Sequence, residues 1–133
     1  MKKKFILVLI YIVFFLNSNT LSEENPKTLK VGLLAPLSGS HSQLGNSILY
    51  SLQLALEEIN DKDVIIVPRD SGFNNKEMLN KAIQDIRLQG IKTVIGPISY
   101  EEFDEVKKYN DLVFISPSNI NPEFTDNIIS IGV

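Results

Sequence analysis

An α/β fold built on a parallel, doubly wound sheet is predicted by three features of this sequence. Segments of strand-like and helix-like pattern alternate four times between Leu29 and Val133. The strand-like segments are continuous apolar runs, the mark of strands buried on both faces of a parallel sheet. The segments that follow the strands, "PLSGSHSQLG", "RDSGFNN", "GPISYEE" and "SPSNINPEF", are rich in the turn formers Gly, Pro, Ser and Asn. In such sheets ligands bind outside the carboxyl ends of the strands, so these four loops are the first place to look for function.

Each element has its own local reason. "LKVGLLA" (Leu29 to Ala35) is the first strand. Ile48, Leu49, Leu52, Ala55, Leu56 and Ile59 then fall on one helical face. "DVIIVP" (Asp63 to Pro68) is the second strand, its Val and Ile favouring extended backbone. In "NNKEMLNKAIQDIRLQG", Asn74 is positioned to cap a helix, Glu77 stands three residues on, and Gly90 ends it. Its inner face is Met78, Leu79, Ala82, Ile83 and Ile86. "KTVIGP" (Lys92 to Pro97) is the third strand. Ser99 and Glu102 have capping-box spacing and open a short helix through Tyr109, with Phe103 and Val106 inward. "DLVFISP" (Asp111 to Pro117) and "IISIGV" (Ile128 to Val133) are the fourth and fifth strands.

The amino terminus follows a different logic. Lys2, Lys3 and Lys4 precede twelve apolar residues, Phe5 to Leu16, and then the polar stretch "NSNTLSEENP". A basic start, a short apolar core and small residues after it predict a secretory signal peptide, residues 1–22, followed by a linker over 23–29. An uncleaved anchor is the alternative, but a membrane span needs roughly 20 apolar residues. No Cys occurs, which excludes a disulfide and a lipid-modified cysteine. An exported chain of this kind suits a periplasm. Losing the signal peptide removes three of the 13 basic residues and no acidic one, leaving a net charge of −6. That charge argues against nucleic acid and anionic membrane surfaces as partners.

Most familiar catalytic chemistry is missing. Neither the phosphate-loop pattern nor G-x-G-x-x-G occurs, and no G-x-S-x-G elbow surrounds Ser38, Ser40 or Ser42. The single His, His41, lies beside those serines in one loop, whereas triads join distant segments; it reads as a solvated loop or helix-start residue. One His and no Cys argue against a zinc site, and no cofactor is expected. Asp70 in "PRDSG" reads as an Asx-turn, or else places Arg69 and Asp70 at the mouth of a cleft. The acidic run Glu101 to Glu105 complements a helix dipole. An enzyme is not expected.

"VGLLAPLSG…LG…SLQLALEEIN", then "GP.S", then "SPSN.NPEFT" together resemble the first lobe of type 1 periplasmic binding proteins, the leucine/isoleucine/valine-binding group. The likeness runs from about Lys30 to Val133 in the family's order. It implies strand order 2-1-3-4-5 and one of two α/β lobes that close over a small ligand, residues 30–133 forming the amino-terminal lobe and "IISIGV" approaching the hinge. The resemblance also implies recognition of a small polar ligand, an amino acid or relative, for ABC-type uptake through a transporter membrane subunit. The contact surface it implies is Ser38, Gly39, Ser99, Tyr100, Ser116, Ser118 and Asn119. Three positions depart from the amino-acid binders. Leu44 replaces an aromatic residue before Gly45, the family's hydroxyl position after the third strand falls at Tyr100 with Ser99 one place early, and Ile120 replaces a threonine. An apolar Ile120 forfeits a ligand hydrogen bond, a loss of about 1–3 kcal/mol in a closed cleft. "IIVPRDSG" also resembles the penicillin-binding-protein activator branch, whose partner would be a penicillin-binding protein of peptidoglycan synthesis. Both branches stay open. A single lobe is expected to bind weakly and to leave an apolar edge prone to self-association.

Overall fold

The structure, a computed structural model, describes residues 28–118 and 125–132. The expected signal peptide, most of the linker and Asn119 lie outside the described residues. Five parallel strands form one sheet in the order β2-β1-β3-β4-β5. They are β1 (Leu29–Ala35), β2 (Val64–Asp70), β3 (Thr93–Ile95), β4 (Val113–Ser116) and β5 (Ile128–Ser130). Both the order and the parallel sense are as expected. Strand β2 runs two residues further than anticipated, to Asp70, because all seven of its residues pair with β1 from Leu29 to Ala35.

Right-handed crossovers place successive helices on opposite faces as the chain moves to β2 and then back across β1 to β3. Helix α1 (Ser42–Ile59) therefore covers one face and α2 (Lys76–Leu88) the other. On the α2 face the core is dense. Leu34, Val94 and Phe114 from the sheet meet Leu79, Ile83 and Ile86 of α2, together with Phe103 and Val106 of the one-turn helix α3 (Phe103–Val106). Burial of side chains this size stabilises by about 1.5–3 kcal/mol each before the entropy of ordering is counted. Gly32 of β1 lies against Ile86, which approaches to 3.0 Å of where a Cβ would stand.

The α1 face is less complete than expected. Ile48, Leu49, Leu52 and Leu56 are half-buried, while Ala55 and Ile59 are exposed, Ile59 to 68%. The reason is position: α1 sits over β1 and the edge strand β2, and no second helix flanks it among the described residues. The same face of β4 and β5 is open, with Val113 at 42% and Ile129 at 52% exposure.

Two helix starts differ from the sequence reading by local chemistry. Asn75, not Asn74, caps α2, accepting a hydrogen bond from the Met78 N–H at 3.1 Å. The segment after Ser99 forms a 3-10 turn (Tyr100–Glu102) and then only the four residues of α3, so it stops short of Tyr109. The capping box there is half made. The Ser99 hydroxyl accepts from the Glu101 N–H at 3.3 Å, but the Glu102 carboxylate turns to another loop. At the far end of α3 the buried Asn127 donates to the Val106 and Tyr109 carbonyls, at 3.3 and 3.2 Å, and fastens β5 to it.

Candidate functional site

The first three expected loops and the start of the fourth, Pro117 and Ser118, gather at the carboxyl edge of the sheet, and each is fixed by a specific device. The first begins where β1 ends. Gly45, in the first turns of α1, lies so close to Pro36 that a Cβ there would stand 2.1 Å from the Pro36 carbonyl oxygen. Only glycine lets the helix press on the strand end in this way. Asp70, at the tip of β2, bolts this loop to the next. Its Oδ1 accepts the Leu37 N–H at 2.9 Å and the Gly72 N–H at 3.0 Å. The Asx-turn expected of Asp70 is therefore present, and it doubles as a link between loops. Burial opposes ionisation of Asp70, but hydrogen bonds from the Ser38 hydroxyl and the Gly72, Leu37 and Ser38 N–H groups outweigh it and hold the carboxyl below its usual range.

In the second loop Gly72, Phe73 and Asn74 all adopt positive φ. This left-handed run turns the Phe73 ring onto His41, with centroids 3.7 Å apart and planes 13° from parallel. His41 does stand at the helix start, as one sequence reading had it, but it is stacked on an aromatic ring. The Asn74 N–H donates to Glu102 Oε1 at 2.9 Å, and its side-chain amide donates to Glu101. Glu102 is only 4% exposed, and burial pushes its carboxyl pKa up despite the Asn74 bond. Sequence reading gave these acids a dipole role and paired Glu102 with Ser99 in a capping box; in the fold they clamp the second loop to the third.

The third and fourth loops are joined through Ser116. Its hydroxyl donates to the Pro97 carbonyl at 2.7 Å and accepts from the Ser118 N–H at 3.2 Å. Gly96 carries φ +108 and packs on the Leu34 carbonyl, so neither its conformation nor its space suits a larger residue. Ser130 donates to the Ser118 carbonyl at 2.7 Å and draws the end of β5 alongside.

Between these loops lies an open cavity of about 920 Å³. Its walls come from Leu44 of α1, from Phe73 and Asn74, and from the run Ile98, Ser99, Tyr100 and Glu101. Pro117, Ser118, Ile131 and Gly132 close the far side. Of the seven contact residues anticipated from sequence, Ser99, Tyr100 and Ser118 meet here. Ser38 and Gly39 stand exposed in the first loop but do not line this cavity, and Ser116 is 0% exposed, its hydroxyl engaged between two loops. Leu44, Phe73, Ile98 and Glu101 were not anticipated as contacts. Phe73, an aromatic residue inside a polar turn, was the one legible signal among them. No cluster of potential metal ligands and no helix long and apolar enough to cross a membrane occurs among the described residues.

Residues 28–132 match a family model described as periplasmic binding protein. An uncharacterised protein of Methanocaldococcus jannaschii is 30% identical over 116 residues, which is 79% of this chain and 28% of that protein. Among solved structures, a leucine-binding protein, LivK, from Thermotoga maritima superposes with a TM-score of 0.67 at 18% identity, over 77% of this chain and 32% of that one. The C-domain of LpoA from Haemophilus influenzae, a regulator of PBP1A, gives 0.63 at 21% identity, over 78% and 32%. A solute-binding protein of an ABC transporter from R. palustris, in complex with benzoate, gives 0.66 at 22%, over 77% and 32%. The chain thus spans about a third of the length of these relatives.

Proposed function

The chain belongs to the periplasmic binding protein family, and on that premise we propose that it supplies one wall of a cleft for a small solute, an amino acid or relative, delivered to ABC-type uptake. The observation that carries this reading is the cavity at the carboxyl edge, where Ser99, Tyr100 and Ser118 meet on four mutually fastened loops. The role is recognition and not catalysis. The expected periplasmic location, the signal peptide over 1–22 and the lobe over 30–133 are part of the same proposal.

Affinity follows from geometry. A closed pocket buries roughly 70–90% of a small ligand, whereas this wall alone leaves one side to water. If a closed complex bound at about 1 μM, half that free energy would leave a Kd near 1 mM. Titration calorimetry of the chain against aliphatic, polar and acidic amino acids tests the reading. Weak heats saturating in the millimolar range with one class are expected; no heat with any class refutes it.

One observation favours a second reading, a partner of a penicillin-binding protein in peptidoglycan synthesis. Ser116, anticipated as a ligand contact, has its hydroxyl occupied between Pro97 and Ser118, which leaves fewer polar groups for an amino-acid clasp. Capture of a peptidoglycan synthase by the chain, with silent calorimetry, would favour that reading.

A further inference from the structure

The charge around the cavity is one-sided. Glu101 is the only charged residue among its described lining, and Glu102 lies directly beneath the same loop. The sequence between Lys30 and Lys62 contains no Lys or Arg, and neither do the segments over 71–75, 96–101 and 117–118 that line the cavity. The described lining instead brings Glu101. Arg69, at the end of β2, turns toward Asp85 of α2 at 3.8 Å. Lys76 is the nearest ammonium in the chain order of the site, and it lines an adjoining groove among Glu101, Glu102, Asp104 and Glu105. Beside this acidic edge the wall is apolar and aromatic, with Leu44, Phe73, Ile98 and Tyr100.

We propose that this wall selects an organic cation, a primary amine with an apolar or aromatic body, and disfavours carboxylate anions. The proposal rests on the solute-binding reading above and, among an amino acid and its relatives, favours amines that lack the carboxylate. A cleft lined by one sign of charge concentrates the opposite sign and repels its own. The Tyr100 ring and the face of Phe73 that is not stacked on His41 attract an ammonium and accept an apolar body, while offering nothing to a carboxylate. The Glu101 carboxylate keeps acceptor capacity beyond its bond from Asn74, because an ionised carboxylate has about four lone-pair sites.

The test uses two probes of like shape and opposite charge, phenethylamine and 3-phenylpropanoate, titrated into the chain at pH 7.5 and followed by amide chemical shifts. Phenethylammonium is expected to shift Phe73, Asn74 and Ile98 to Glu101 with a Kd in the millimolar range, and the anion to bind about tenfold more weakly. The conservative variant Glu101→Gln should reduce that ratio to about twofold, as removal of a solvent-accessible charge pair does. In the unchanged protein, raising salt should also reduce it, which keeps the test independent of the variant's folding. Equal or tighter binding of the anion at the same residues overturns the charge selection and leaves the solute-binding reading standing. Shifts from neither probe overturn the cation proposal, while the solute-binding reading stands or falls with the amino-acid titration above.

Discussion

Replacing Gly45 by alanine probes the seam that holds the first loop in place. The new methyl group would stand 2.1 Å from the Pro36 carbonyl oxygen and 2.6 Å from its carbon. Both are main-chain atoms, so no side chain can rotate aside. Relief requires α1 to retreat from β1 by about 1 Å, and a gap of that size forfeits roughly a quarter to a half of the dispersion attraction across it. Overpacking of this sort costs about 1–3 kcal/mol, and a rigid backbone partner puts the site at the upper end. Alanine recovers about 0.5–1 kcal/mol through its better helix propensity. The net loss is therefore about 2 kcal/mol, a fall in Tm of roughly 8–16 °C for a domain of this size. Urea and thermal unfolding of Gly45→Ala, read by circular dichroism, measure it. Gly90→Ala is the control: φ is +73 there, but no atom lies within 4 Å of the added carbon, so only backbone strain of about 1–2 kcal/mol applies. If Gly45→Ala unfolds within about 0.5 kcal/mol of the parent, the close approach of α1 to β1 is wrong.

Further outcomes follow from single side chains. Asp70 has a lowered pKa in the fold, so its contribution is fully present above its ordinary value of 3.8 and is lost as pH falls through the lower folded value. Asp70→Asn, which gives up the ionised acceptor, should cost about 1–3 kcal/mol at pH 7 and flatten the acid limb of a Tm-against-pH curve. Glu102 has the opposite sign: its pKa is raised above 4.5, so the fold gains stability as pH drops through the raised value toward 4.5. Glu102→Gln retains an acceptor for the Asn74 N–H and should leave Tm at pH 7 unchanged or higher; a clear drop would show that the charge itself is needed. Asn127→Ala removes one of two hydrogen bonds from each of the Val106 and Tyr109 carbonyls, which keep the Tyr109 and Leu112 N–H groups, and a loss of about 0.5–1.5 kcal/mol with faster amide exchange in β5 is the expected result.

The sheet was legible because each strand carries a short apolar run, such as residues 64–67, and the two long helices place apolar residues at helical spacing. What composition and periodicity alone left unsaid was strand order, which entered with the family resemblance. The misplaced cap shows a finer limit. Asn74 and Asn75 are adjacent and chemically identical, and the choice falls on Asn75 because Asn74 is drawn to Glu101 and Glu102, 27 and 28 residues away. Nothing local announces that pairing. Glu102 is a similar case: a carboxylate in an acidic run reads as solvated, and only the tertiary approach of the second loop buries it. The site was partly legible, since Ser99, Tyr100 and Ser118 lie in the loops that the sheet's polarity singles out. Its apolar wall was missed because Leu44 and Ile98 serve equally well as core or as lining until the loops are seen together.

The unequal covering of the sheet's two faces has a kinetic consequence. Helix α2 is held by four buried side chains, whereas Gly45 is the one buried residue of the eighteen in α1. In native-state hydrogen exchange the two helices should behave as separate foldons, with α2, β3 and β4 opening only with the whole domain and α1 opening at a fraction of that free energy. Leu44 rides on α1, so one wall of the cavity belongs to the part of the molecule most easily detached. A ligand seated against it would bring α1 into the slow-exchanging class, and that protection would register occupancy of the cavity even at weak affinity.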